Sequence, residues 1–250
     1  MPDGDAPPAP SGPGPAAPGS GAPRPAPPVG TADIERQKQL VAEAAALLVE
    51  PGMVVGLGTG STVSHLLPAL ARRRLDIVCV ATSPATADAA ESLGLAVRPF
   101  TGIDRLDLAI DGADQVADDG WLVKGGGGAH HRERIVAAAA DRFVVMVSSD
   151  KLVGTVGPPI PLELAAFGVD ATLRALAALG AVGRRSAPPT PDGGVLADLV
   201  VDPIDPADLA RRLDAQAGVV AHGLFPPELT SDILVAQDDQ VLRRPGGKHR

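Results

Sequence analysis

Apolar positions recur along this chain in helical and strand-like stretches that alternate. Ile34, Val41 and Leu48 fall on one helical stripe with Leu40 and Leu47 beside it. That spacing predicts an amphipathic helix over residues 34–49, capped by Asp33 and ended by Pro51-Gly52. Residues 53–57 form an apolar run that predicts a strand, and Val63, Leu66, Leu67 and Leu70 return to helical spacing. A strand at 76–80, a helix at 84–93 closed by Gly94, and strands at 96–99 and 106–110 follow. An alanine-rich helix after Glu133 leads into a strand at 143–147. Strands alternating with helices predict βαβ units and a parallel sheet.

From Pro158 the pattern changes. A strand at 162–167 precedes a helix carrying Leu173, Leu176 and Leu179, capped by Asp170 and ended by Gly180. Strands at 182–186 and 195–201 flank a Pro-rich turn at 187–194, whose Asp192-Gly193 is a hairpin signal. Asp205-Pro206 opens a helix with Leu209 and Leu213, Gly218 ends it, and residues 219–221 predict a strand. The order βαββαβ is the split, ferredoxin-like arrangement. The predicted fold class is α/β, with a Rossmann-like parallel-sheet domain over 32–156 completed by 224–242 through a last strand at 233–236. The ferredoxin-like domain is inserted at 157–223. Residues 1–31, rich in Pro, Ala and Gly, predict a disordered tail, and residues 243–250 a frayed end.

Composition narrows the function. Aromatic residues are 2% of the chain and Tyr is absent, which argues against stacking platforms for single-stranded nucleic acid. A formal net charge of −8 argues against a general polyanion binder, while a local site for one small phosphorylated substrate stays open. No apolar run is long enough to cross a membrane as a helix, and no basic-then-apolar leader opens the chain, so neither membrane nor secretory partners are expected. Cys79, the one cysteine, lies in an apolar run and is expected to be a buried strand residue in a cytoplasmic protein.

Three stretches carry chemistry. Gly56-Leu57-Gly58-Thr59-Gly60-Ser61-Thr62 joins a strand to a helix and offers N–H groups and hydroxyls to a phosphate or sugar. It lacks the Lys of a Walker A loop and the third glycine of a dinucleotide fingerprint. Asp111-Gly112-Ala113-Asp114 ends a strand, where ligands of parallel sheets bind; the plainer reading is a capped turn with one solvated Asp. Lys124 precedes Gly125, Gly126, Gly127 and Gly128, and then His130, His131, Arg132 and Glu133 open a helix. A cation and a carboxylate are thereby placed around a backbone suited to anions; the plainer reading is a flexible loop.

In this order, GLGTGST, DGAD and KGGGGAHHRE, with Lys151 and the segment GVVAHGLF at 218–225, resemble the ribose-5-phosphate isomerases of the A type. The resemblance covers nearly the whole chain after the tail. It implies an aldose–ketose isomerase that works without metal or organic cofactor, on a small sugar phosphate, as a homodimer or homotetramer. Thr59, Gly60, Ser61 and Thr62 fall on the family's first substrate loop, Asp111, Gly112, Ala113 and Asp114 on its second, and Lys124, Gly125, Gly126 and Gly127 on its third. Glu133 falls on the proton acceptor and Lys151 on a further substrate lysine; Lys38 is a weaker match to a phosphate contact. The residue types suit the reaction: Glu133 as the base, Lys124 for the developing oxyanion, Asp111 and Asp114 for ring opening. Should one of those two aspartates stay protonated, their mutual repulsion would be the cause.

The chain departs from the pattern at Gln115, where the family usually has Glu, and at His130-His131, expected to be solvated at the helix start. The Pro-rich turn at 187–194 is expected to affect the small domain and not the site. The alternative function is a non-catalytic sugar-phosphate sensor of related fold, which would lack the base or the lysine. An amino-sugar phosphate deaminase, a CoA transferase and a nucleotide-binding dehydrogenase fit the motifs less well.

Overall fold

The computed structural model describes residues 30–202 and 205–248. The expected tail at 1–31 lies outside them except for Gly30 and Thr31, which already begin α1 (Thr31–Ala46). Gly30 occupies the cap position and Asp33 lies inside the first turn, so Asp33 does not cap this helix; its carboxylate instead favours the positive end of the helix. After β1 (Val54–Leu57), Gly60 at φ +130° lets the chain turn directly into α2 (Ser61–Arg73). There follow β2 (Val78–Ala81), α3 (Pro84–Ser92), β3 (Ala96–Val97) and β4 (Leu106–Asp111). The Ser83 hydroxyl caps α3, accepting from the Thr86 N–H at 3.2 Å.

Two short strands, β5 (Gln115–Ala117) and β6 (Leu122–Val123), lead to α4 (His130–Ala139), β7 (Ala140–Ser148) and β8 (Leu152–Val153). The second half runs β9 (Ile160–Leu164), α5 (Val169–Leu176), β10 (Ala181–Arg184), β11 (Val195–Val200), α6 (Pro206–Asp214) and β12 (Val219–His222). Asp205 caps α6 as expected, accepting from the N–H groups of Ala207 and Asp208. Gly168, not Asp170, stands at the start of α5; Asp170 sits in its first turn and pairs with Arg184 at 2.5 Å. The chain closes with β13 (Leu224–Phe225), β14 (Asp232–Gln237) and β15 (Gln240–Pro245).

Seven strands form the main sheet in the order β15-β14-β7-β4-β1-β2-β3. All neighbours are parallel except β14 and β15. The frayed end expected at 243–250 is corrected where it is described, residues 249–250 lying outside the described residues: Arg243 and Arg244 sit in an edge strand, held by ladder bonds and, at Arg243, by a 2.7 Å pair with Asp232. Successive side chains of β7 alternate between two buried faces: Val144 and Met146 enter the core beneath α1 and α2, and Phe143, Val145 and Val147 enter the opposite one. Strand order reverses between β1 and β4, which opens a crevice beyond their carboxyl ends.

A four-stranded antiparallel sheet, β10-β11-β9-β12, packs with α5 and α6 around a third core containing Ile160, Leu162, Leu199 and Leu213. Between the two lies a small sheet, β13-β6-β5-β8, that the sequence pattern does not predict. Trp121 packs against that third core, just ahead of Lys124.

Candidate active site

Gly58, Asp111 and Lys124 meet in the crevice between β1 and β4. Asp111 ends β4 and is 3% exposed. Its Oδ1 accepts from the N–H groups of Gly112 (2.7 Å) and Thr59 (3.2 Å), and its Oδ2 from Lys124 Nζ (2.8 Å). A Cβ on Gly58 would overlap this carboxylate, so only glycine lets the backbone pass. Lys124 Nζ also donates to the Gly112 carbonyl at 2.5 Å and lies 3.1 Å from Glu133 Oε2, without hydrogen-bond alignment to it. One buried ammonium thus stands between two buried carboxylates.

Burial pushes Glu133 up from 4.5 to about 8; the Asp111 charge adds to the rise and Lys124 opposes it. Asp111 is raised for the same first reason, burial, against the pull of Lys124. Repulsion between Asp111 and Asp114 is therefore not what raises it: Asp114 is exposed, and its Oδ2 accepts from the Gly126 N–H at 2.7 Å. For Lys124, burial works against the charge, yet Asp111 and Glu133 outweigh it and hold the ammonium above its usual range.

Residues from all three sequence motifs converge. Thr59, Gly60, Ser61, Thr62, Gly112, Ala113, Asp114, Lys124, Gly125, Gly126, Gly127, Glu133 and Lys151 line one cavity of about 110 Å³, and Asp111 lies behind it. Lys151 reaches it from the turn after β7, where Gln37 Oε1 of α1 accepts from the Ser149 N–H at 2.8 Å. Lys38 is not among the lining residues; it pairs with Glu35 at 2.6 Å.

Other groups were not visible in the sequence. Thr82 and Thr86, neither in a motif, brace the first loop: Thr86 Oγ1 donates to the Gly58 carbonyl (3.0 Å), and the Thr59 and Thr82 hydroxyls meet at 2.8 Å. Gln115, by contrast, does stand out in the sequence; it makes two bonds with the Gly157 backbone, donating to its carbonyl at 3.0 Å and accepting from its N–H at 2.7 Å. A carboxylate in its place could only accept.

Two expectations are corrected. His130 is fully buried, not solvated: it lies beneath the glycine loop, so close that a Cβ on Gly125 would stand 2.6 Å from its Nδ1. Burial, then the charge of Arg185, holds it down to about 3, so it is neutral at any ordinary pH. The Pro-rich turn does reach the site's flank, since Asp192 takes a two-pronged pair from Arg132 (2.7 and 2.8 Å), next to Glu133. Among the described residues no helix is long and apolar enough to cross a membrane, and no cluster of three His, Cys, Asp or Glu side chains is gathered as metal ligands would be.

A carboxylate raised toward neutrality, held beside a buried cation at the carboxyl end of a parallel sheet, belongs to an enzyme that moves protons on a small polar substrate. The sequence profile of ribose 5-phosphate isomerase A (phosphoriboisomerase A) matches residues 78–240. Ribose-5-phosphate isomerase A of Caulobacter sp. strain K31 is 42% identical over 219 residues, 83% of this chain and 96% of that protein. The solved ribose 5-phosphate isomerase A from Methanocaldococcus jannaschii superposes with a TM-score of 0.80 at 31% identity, covering 84% of this chain and 99% of that one. That from Neisseria gonorrhoeae gives 0.81 at 28% identity, covering 85% and 97%. The chain belongs to the ribose-5-phosphate isomerase A family. The profile of the DeoR C terminal sensor domain matches residues 34–94, a span with the first loop but without Asp111, Lys124 or Glu133.

Proposed function

We propose that Glu133 is the base of an aldose–ketose isomerisation and Lys124 the group that holds the oxyanion it creates. The enzyme interconverts D-ribose 5-phosphate and D-ribulose 5-phosphate in the non-oxidative pentose phosphate pathway. The observation that carries the assignment is the 3.1 Å approach of Glu133 Oε2 to Lys124 Nζ at the floor of a cavity rimmed by Thr59–Thr62.

On the open-chain aldose, Glu133 takes the proton from C2, and the electron pair of that C–H bond forms the C1–C2 double bond. Negative charge collects on O1, facing the Lys124 ammonium, in a cis-enediolate. Glu133 then returns its proton to C1 while the O2 proton passes to O1, leaving the ketose. One carboxylate serves both carbons because they lie on one face of the planar intermediate. Asp114, exposed at the rim, suits the handling of ring and chain hydroxyls better than Asp111, both of whose oxygens are engaged inside. The N–H groups and hydroxyls of residues 59–62, with Lys151, suit the anionic remainder of the substrate, whose binding holds the reacting end in place.

The finer architecture we read is a Rossmann-like domain over 32–156 completed by 224–242, with a ferredoxin-like domain at 157–223. The strand order about β1 and the alternating order of β9 to β12 with α5 and α6 support that reading. A cytoplasmic homodimer or homotetramer is the state we propose; the single buried thiol, Cys79, is in keeping with a reducing compartment, and Phe167, 97% exposed, marks where a contact between copies would be sought.

The test is a direct assay on ribose 5-phosphate without added metal, following the ketose, with Glu133→Gln in parallel. Turnover by the wild type and its collapse in the variant support the reaction and its base together. A folded wild type that binds the sugar phosphate without turning it over would favour the sensor function instead.

A further inference from the structure

Arg185 lies 60 residues from the glycine loop in sequence yet holds it in space. It follows β10, and its own N–H bonds to the Leu196 carbonyl, so it extends the ladder with β11. Its guanidinium is fixed from behind by Asp198 of β11 through a two-pronged pair at 2.8 and 2.6 Å. The remaining nitrogen, Nη1, points forward and donates to the carbonyls of Gly125 (2.8 Å) and Gly126 (3.3 Å).

Peptide planarity turns those two bonds into an instruction for the site. In a trans peptide the carbonyl of one residue and the N–H of the next point in opposite directions. Drawing the Gly125 carbonyl toward Arg185 therefore sends the Gly126 N–H the other way, and there it meets Asp114 Oδ2 at 2.7 Å. Drawing the Gly126 carbonyl back turns the Gly127 N–H toward the same side, the cavity that Gly126 and Gly127 line with Lys124 and Glu133. Successive N–H groups facing one way form an anion-binding concavity. Glycine alone tolerates the twist, since Gly125 stands at φ +105° against the His130 ring.

We propose that Arg185, braced by Asp198, is a positioning residue for the isomerisation: it sets the Gly126 N–H on the Asp114 carboxylate and turns the Gly127 N–H toward the cavity where the substrate reacts. The four-stranded sheet thereby takes part in the chemistry without touching the sugar. The Arg132–Asp192 pair on the far side of the same hairpin anchors α4 beside Glu133, so the hairpin grips both flanks of the loop. The proposal rests on the isomerase reading above.

The experiment is steady-state kinetics of Arg185→Ala, Arg185→Lys and Asp198→Asn against wild type on ribose 5-phosphate, with thermal melts, and with guanidinium ion added to the alanine variant. A misaimed Gly127 N–H and a displaced Asp114 lower kcat about tenfold or more in Arg185→Ala, with KM moved by less than about threefold. Arg185→Lys, which keeps a cation without the fork, recovers part of the loss. Asp198→Asn falls between wild type and alanine, and millimolar guanidinium raises kcat of the alanine variant. A kcat within about twofold of wild type in Arg185→Ala, or a loss confined to KM, overturns the proposal. Should the alanine variant fail to fold, a folded Arg185→Lys with unchanged kcat overturns it equally. Because wild type runs alongside, silence there would count against the isomerase reading, whereas an active wild type with indifferent variants counts against Arg185 alone.

Discussion

Along the wall built by residues 59–62, hydroxyls and backbone N–H groups stand at a helix start, partly open to water and without a formal charge. Across the cavity Asp111, Lys124 and Glu133 are each no more than 4% exposed, and all three are ionisable. Gly60 and Ser61 of the neutral wall are exposed, and such groups exchange water for phosphate or hydroxyl at modest gain. The charged wall is costly to fold, because each ion gives up water and is tolerated only through its partners. On the proposed mechanism, what it gains is a base near neutrality and an ammonium that needs no reorientation when an oxyanion forms. The proposed roles of binding and chemistry would then divide between a wall that folds easily and one that folds at a cost.

The largest disturbance of that division is expected from Lys124→Met. Removing the ammonium leaves two carboxyl groups buried without their cation, a loss of about 3–5 kcal/mol in denaturant melts, with turnover abolished. A variant as stable as wild type would mean that the charged wall does not depend on this pairing. Next is Glu133→Gln, which keeps the shape and lowers kcat on the order of a hundredfold or more while affinity for the sugar phosphate persists; near-normal turnover would move the base elsewhere.

The same variant tests the pH dependence. Glu133 is raised by folding from 4.5 to about 8, so the fold favours its protonated form. That contribution to stability is complete below the ordinary value and is lost as pH rises through about 8. The wild type is therefore expected to lose melting temperature between mildly acidic and alkaline pH relative to Glu133→Gln. Over the same range its kcat/KM rises with pH as the base ionises. Parallel melting curves for the two proteins would count against a raised Glu133.

Gly58→Ala probes the seam between the walls. Its methyl group would press on the Asp111 carboxylate, at a cost of about 1–3 kcal/mol, together with reduced turnover as Lys124 shifts. The smallest effect is expected from Ser61→Ala on the open wall, about 0.5–1.5 kcal/mol expressed in KM alone. A loss in kcat there would blur the distinction between the walls.

Much of this arrangement was legible in the chain because glycine runs and strand-ending carboxylates are local signals. Asp111 follows an apolar run, and Lys124 and Glu133 bracket four glycines, so each motif carries its own spacing. Arg185 and Asp192 carry none for these contacts: Gly125 and Arg132 lie 60 positions away, and an arginine outside a motif reads like any other. His130 misled because it sits in a charged run, although its burial is decided by the glycine loop folded over it. The strands of the small central sheet are two or three residues long, too short for any period to register. The edge strand at Arg243-Arg244 was hidden because an outer strand has no need of an apolar face.

The route by which β14 joins the main sheet has a consequence for the protein's birth. Phe143 of β7 donates to Ser231 Oγ, at the start of that pairing, across 88 positions. As the chain leaves the ribosome, β7 stands as an apolar edge without its neighbour until the whole of β8 to β13 has been made. At roughly 5–20 residues per second that exposure lasts on the order of ten seconds. An unpaired apolar edge carrying Val144, Val145 and Val147 is a template for association with other chains. The stretch from β8 to β13 thus sets an interval during synthesis in which one edge of β7 has no partner strand, an interval that the finished fold no longer reveals.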